Sequence, residues 1–376
     1  MERAEATCTI THRNPQSEIR NQKFKEVLMP ARHSSLRVWR LVLWFVVGLL
    51  FTQAGMAVVA ERSLEIRDPE FCGFTERLQE QQTKHPEQPL LLVMGSSRVE
   101  QGFNARHFSS LTTESLAFNF SSAGAGPYLQ TVFVERLFEQ GVRPKFVFLE
   151  VLPTFFNETG GKNSELALLD GARLNRHEAR DLLAYSQGDK VALKRYASAR
   201  ICPAVRHQAE LRESCGLDVY REGLKPLTPI DGVDRFGHRA MEYPEDQWTT
   251  MHLIAHRQYD RFSADFRVRE VAYQRLRDLL TFLQTHEVRV TLLLMPEASE
   301  FRLTLSPQAK AGQEQFLQRL RSDTQLPLID ARAWLDDAAF YDGHHLLPAG
   351  AIRFSDRLLR YADRHKLLRE TTTAGK

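Results

Sequence analysis

The sequence has little of what usually assigns a chain directly. Four cysteines in 376 residues (Cys8, Cys72, Cys202 and Cys215) are too few for a disulfide scaffold. No CxxC or HExxH pattern suggests a metal site, so no metal or cofactor is expected. Sixteen Pro and 20 Gly without a period exclude collagen, and 43% hydrophobic residues exclude an intrinsically disordered chain. No internal repeat is visible, which argues against a solenoid. Fifty basic against 47 acidic residues give a net charge of +3, which is no nucleic-acid signature.

The charge and the apolar residues are unevenly spread. Leu41–Ala60 is a stretch of twenty residues without a charge, with only Thr52 and Gln53 distinctly polar. At helical rise it covers about 30 Å, the thickness of a bilayer core, so residues 41–60 are expected to form a transmembrane helix. Residues 1–40 before it hold eight Lys/Arg and four acids, a basic leader of the kind that stays in the cytoplasm. A single pass through a bacterial inner membrane would then place the remainder in the periplasm or outside the cell. A cleaved signal peptide is the alternative, because Val58-Val59-Ala60 offers small residues near a cleavage point. Without the leader's eight and four, the totals become 42 basic against 43 acidic, so the slight basicity belongs to topology. In an exported domain Cys202 and Cys215 could pair locally, although spacing alone does not establish it.

After a linker or helix over 61–88, residues 89–370 read as alternating strands and helices. Strands are expected at Pro89–Gly95, Ser115–Phe120, Lys145–Val151, Val288–Pro296 and Leu326–Asp330. Pro127 opens a helix that Gly141 stops, and a last helix runs from about Ala349 to His365. This alternation predicts an α/β domain with a parallel sheet flanked by helices. Between about 152 and 262 the rhythm breaks down into a helical pattern at Arg173–Ser198 and then irregular chain. That stretch is expected to be an insertion over the C-terminal edge of the sheet, where open α/β sheets bind ligands. The tail, 371–376, looks frayed.

Two elements carry chemistry. Gly95-Ser96-Ser97-Arg98 follows the first strand, and Asp342-Gly343-His344-His345-Leu346 precedes the last helix. A serine on such a turn becomes a nucleophile only when a base takes its proton, and a histidine oriented by a carboxylate is the usual one. Ser97, His345 and Asp342 are therefore the candidate triad, and the Asp-x-x-His spacing favours His345 over His344. Arg98 either binds a substrate anion or pairs with Glu150. Glu297, after the fourth strand, reads as loop polarity.

The combination resembles the SGNH (GDSL-type) hydrolase superfamily, in particular its membrane-anchored bacterial branch similar to alginate and cell-wall O-acetyltransferase-like proteins. Gly95-Ser96-Ser97 stands where the family has Gly-Asp-Ser, and Asp342-Gly-His-His345-Leu with Gly350-Ala351 matches its final block. The resemblance spans about Pro89–Leu368 outside the insertion. It implies a flavodoxin-like three-layer fold, with Ser97 as nucleophile and its N–H in an oxyanion hole. It also implies a glycine donor after the second strand, Gly124 ahead of Gly126. The family's third block usually supplies an Asn; here Glu150-Val151-Leu152-Pro153 follows the third strand. Either Asn157 or Asn119 supplies that donor, or the hole has one fewer. The implied activity is that of an esterase or O-acyltransferase on an acylated glycan or small ester, with a membrane-bound acyl donor protein as a partner. The alternative is an inactive relative that binds glycan or a partner during polymer export.

Overall fold

The computed structural model describes residues 32–158, 164–188, 190–208 and 230–369. Most of the basic leader, Cys8, Cys215 and the 371–376 tail lie outside these residues, and with Cys215 its pairing with Cys202. The chain divides into two units, residues 1–55 and 56–376.

Helix α1 (Arg32–Arg62) extends beyond both ends of the 41–60 stretch. Its part from Leu36 to Arg62 is long and apolar enough to cross a membrane. Large side chains such as Trp44, Phe45 and Phe51 are exposed along it, as suits an apolar surround.

The second unit is built on five parallel strands, β1 (Leu90–Met94), β2 (Leu116–Asn119), β3 (Phe146–Glu150), β4 (Arg289–Leu294) and β5 (Leu328–Asp330), in the order β2-β1-β3-β4-β5. All five fall within the apolar runs expected from the sequence. Successive residues face opposite sides. Leu90, Leu92 and Met94 enter one core with α2 (Pro69–Lys84), while Leu91 and Val93 enter a second core. Helix α3 (Ser97–Gly102) packs on that second side, and α4 (Pro127–Glu139) on the first.

The excursion after β3 is more helical than the sequence suggested. It contains α5 (Arg176–Ser186), α6 (Lys190–Ile201) and α7 (Glu245–Ser263). Where irregular chain was expected up to about 262, Glu245–Ser263 is a helix of 19 residues. Its signals were present: Glu245 and Asp246 in the first turn after Pro244, and Trp248, Met251, Ala255, Tyr259 and Phe262 at helical spacing. Helices α8 (Glu270–Thr285) and α9 (Pro307–Thr324) flank β4, and α10 (Pro348–Arg364) ends the domain. In this strand order the chain reverses direction between β1 and β3, and the carboxyl ends of those strands are where such sheets bind ligands.

Candidate active site

The turn after β1 is shaped by close approach. A Cβ on Gly95 would lie 2.4 Å from Val99 Cγ2 and 2.6 Å from Glu150 Oε2, so only glycine fits there. The Ser96 N–H donates to Glu150 Oε2 at 2.6 Å, and Ser96 Oγ caps α3 by accepting from Arg98 N at 3.3 Å. Half-buried Ser97 therefore opens the helix, where a backbone N–H has no acceptor inside the helix.

The other half comes from the loop before α10. Phe340 and Leu346 pair across it, and Gly343 turns it at φ +90°. Asp342 Oδ1 accepts from the N–H groups of His344 (3.1 Å) and His345 (2.8 Å), a local turn that brings the carboxylate to the ring three residues on. Oδ2 lies 2.7 Å from His345 Nδ1, and His345 Nε2 lies 2.8 Å from Ser97 Oγ. A carboxylate on Nδ1 fixes the proton there and leaves the Nε2 lone pair facing the serine. Tyr341 stacks on the His345 ring at 5.6 Å and anchors its hydroxyl on Gln101 of α3 at 2.9 Å.

Burial alone would raise the pKa of Asp342, but the His345 hydrogen bond and the two neighbouring imidazoles outweigh it and hold the carboxyl below its usual range. His344 is pushed the other way: burial first, then the charge of His345, keep it well below 6.5 and neutral. It is fully enclosed, with Phe301 at 5.2 Å and Tyr259 at 4.9 Å between ring centroids.

Arg98 is buried and committed to partners inside the protein. Its guanidinium donates to the carbonyls of Met295 (3.1 Å) and Pro296 (2.8 Å) and to Glu297 Oε1 (3.1 Å), with Glu150 Oε1 at 4.0 Å. Glu297, read as loop polarity, is instead a buried partner of this arginine. Burial pushes the Glu150 carboxyl up, and the nearby Arg98 charge opposes it.

The expected oxyanion residues divide. Gly124 sits at φ +77°, its Cβ position blocked at 2.8 Å by Leu168, in the lining of a depression shared with Asp68, Arg173 and Arg206. Gly126 precedes α4, whose Tyr128 and Leu129 N–H groups donate to Glu165 Oε1 at 2.9 and 3.1 Å. Burial pushes Glu165 up to about 7. Asn157 is a correction. Its Nδ2 donates to the Asp265 carbonyl at 2.8 Å and its Oδ1 accepts from Arg267 N at 3.1 Å, so it staples the chain before α8 to the end of β3. A fully buried amide has to satisfy its own polar atoms, and the nearest backbone does this. Asn119 is committed likewise, with Nδ2 donating to the Val99 and Phe103 carbonyls, each at 2.8 Å. Neither side chain offers the third-block donor.

Near His344, whose ring packs on Tyr259 and Phe301, lies a narrow apolar cleft lined by Leu152, Tyr259, Phe262, Phe301 and Leu305 among others. Tyr259 and Phe262 come from α7, so the helix missed in the sequence supplies much of this apolar wall. Among the described residues, two groups of side chains bring donor atoms within 4.8 Å of one another, close enough to hold a metal ion: Asp342, His344 and His345, and separately His252, His256 and Glu300. In the first, Asp342 and His345 are already engaged with each other and with Ser97.

A family of proteins of unknown function (DUF1574) matches residues 71–175, a span that includes Ser97 but not Asp342 or His345. No curated protein matches the sequence. Among solved structures, the chain is similar to a protein from Bacteroides fragilis described as a "putative acylhydrolase", with 13% identity and a TM-score of 0.35. That similarity covers 78% of this chain and 97% of the other.

Proposed function

We propose that the chain is a membrane-anchored, SGNH-like serine esterase or O-acyltransferase. The observation that carries this reading is the continuous line from Ser97 Oγ through His345 to Asp342, at 2.8 and 2.7 Å. Those lengths lie within ordinary hydrogen-bond reach for a nucleophile and its base.

In the proposed reaction Ser97 Oγ attacks the acyl carbonyl while its proton passes to His345 Nε2. Asp342 holds Nδ1–H and stabilises the imidazolium. The N–H groups of Ser97 and Gly124, with Gly126 as the reserve, hold the oxyanion. The ester C–O bond then breaks, and His345 returns the proton to the departing alcohol. Water or a sugar hydroxyl attacks the acyl-serine in turn, giving hydrolysis or transfer. The apolar helix α1 supports work at a membrane, which in our reading is a bacterial inner membrane with the domain exported. The substrate is an acylated glycan or small ester, and a membrane-bound protein is the acyl donor if the reaction is transfer.

Replacing Ser97 by Ala should lower turnover of a nitrophenyl acetate ester by at least about 10³-fold. Unchanged turnover would remove Ser97 as the nucleophile.

A second reading is favoured by one observation. Glu150, an acceptor, ends β3 near where an Asn donor is expected, and Asn119 and Asn157 are both engaged elsewhere. Loss of one oxyanion donor costs about 10²–10³-fold in rate. A protein with that deficit could serve to bind glycan or a partner in polymer export without catalysis. Retention on a glycan column without turnover of any ester would select this second reading.

A further inference from the structure

We propose a divalent transition-metal site, fitted to Zn²⁺, made by His252, His256 and Glu300. None of these residues belongs to the triad, and the proposal does not depend on ester chemistry.

His252 and His256 are four residues apart on α7 and so share one face of the helix. Glu300 comes from a different part of the chain, the short helix Ser299–Leu303 after β4. One donor atom from each residue lies within 4.8 Å of the other two. Donors bound to zinc at about 2.0–2.1 Å sit roughly 3.4 Å apart, so side-chain rotation closes the difference without moving the backbone. Two imidazoles and a carboxylate match the ligand set of zinc sites that keep a fourth position open. The open position is available, because the His252 and Glu300 side chains are 33% and 49% exposed.

Without metal, the site is held by a hydrogen bond. His252 Nδ1 lies 2.8 Å from Glu300 Oε1. Zinc at Nδ1 would replace that hydrogen bond, with the single proton of the neutral imidazole carried on Nε2.

The location gives the ion a role. A Cβ on Gly343 would lie 3.4 Å from Glu300 Oε1 and 3.8 Å from His252 Cε1, so the trio sits directly against the loop that carries Asp342 and His345. The same loop accepts a hydrogen bond from Ala298 N to Gly343 O at 2.8 Å, two residues before Glu300. One turn of α7 beyond the two histidines, Tyr259 packs on His344. An ion held here fastens the insertion helix to the strand-edge loop and fixes the apolar wall beside it.

The test uses the full chain in detergent, stripped with a chelator and titrated with Co²⁺ and then Zn²⁺. The expected result is one ion per site, with the visible spectrum of a four-coordinate nitrogen–oxygen cobalt centre that Zn²⁺ abolishes. His256→Ala and Glu300→Gln should each weaken binding at least about tenfold, the effect already typical of losing a residue that merely orients a ligand. The His252→Ala/His256→Ala double variant should remove the signal, and His344→Phe should leave it. If these variants fold poorly, Zn²⁺ should still protect His252 and His256 of the unaltered chain from diethylpyrocarbonate, read by mass spectrometry. Absence of cobalt binding, binding that survives the double variant, or loss in His344→Phe alone would overturn the assignment. So would unprotected histidines in the modification experiment.

Discussion

The two sides of the candidate site, the strand edge and the insertion, are built differently. On the strand-edge side, each chemical group is held by main chain. Ser96 N–H fixes Glu150, two backbone N–H groups fix Asp342, and two carbonyls fix Arg98. On the insertion side, Tyr259 is held through ring contacts with Phe301 and His344, and His252 through one half-exposed carboxylate. Backbone hydrogen bonds in a buried sheet edge leave little rotational freedom, whereas ring packing on a surface helix can shift with its occupant. On the proposed function, that difference would give reactivity to the core and choice of substrate to the insertion.

The largest effect should come from the strand edge. Asp342→Asn leaves the shape of the loop intact but favours the wrong His345 tautomer, and should lower ester turnover by about 10⁴-fold in a steady-state assay. A loss below tenfold would mean that Tyr341 stacking alone orients the ring. Next is Arg98→Met, which strands the Glu150 and Glu297 carboxylates in a buried site. A shift of about 3–5 kcal/mol in unfolding free energy is expected from denaturant titration. A small shift would show that water reaches the arginine site.

On the insertion wall the expectation is smaller and of another kind. Tyr259→Ala should change the relative kcat/KM of long and short acyl esters by about tenfold while altering kcat for acetyl esters little. Equal losses on all esters would erase the division between the two walls.

The smallest effect is a pH slope. His344 stays neutral in the fold because burial and the His345 charge hold it below 6.5, so the unfolded chain takes up a proton there that the native chain does not. Its contribution to stability is present above about pH 6.5 and is lost as pH falls further. Glu165, raised to about 7, acts with the opposite sign and loses its contribution as pH rises through that value. His344→Phe should therefore lose less in Tm than the parent between pH 7 and pH 5, with the Glu165 contribution common to both. Parallel Tm profiles would contradict the neutral His344.

Much of the strand-edge wall was legible in the sequence, and most of the other wall was not. Buried parallel strands are apolar on both faces, so runs such as Leu90–Met94 and Arg289–Leu294 announce themselves. The turn Gly95-Ser96-Ser97 and the Asp342–His345 loop are local motifs, read from neighbouring letters. The distance between Ser97 and His345 is not local, and neither is the pairing of Arg98 with Glu297. Asn157 was misread because sequence does not say which carbonyls a buried amide must satisfy. Helix α7 was missed for a different reason. Its apolar face is interrupted by histidines and arginines that serve the cleft and the surface, and this diluted the helical period.

The proposed chemistry requires Ser97 to be an activated nucleophile. The most direct test is a fluorophosphonate probe applied to the full chain at neutral pH, followed by peptide mass spectrometry. The prediction is a single adduct on the Ser97 peptide, absent in His345→Ala. An unlabelled Ser97, or labelling that persists without His345, would contradict it.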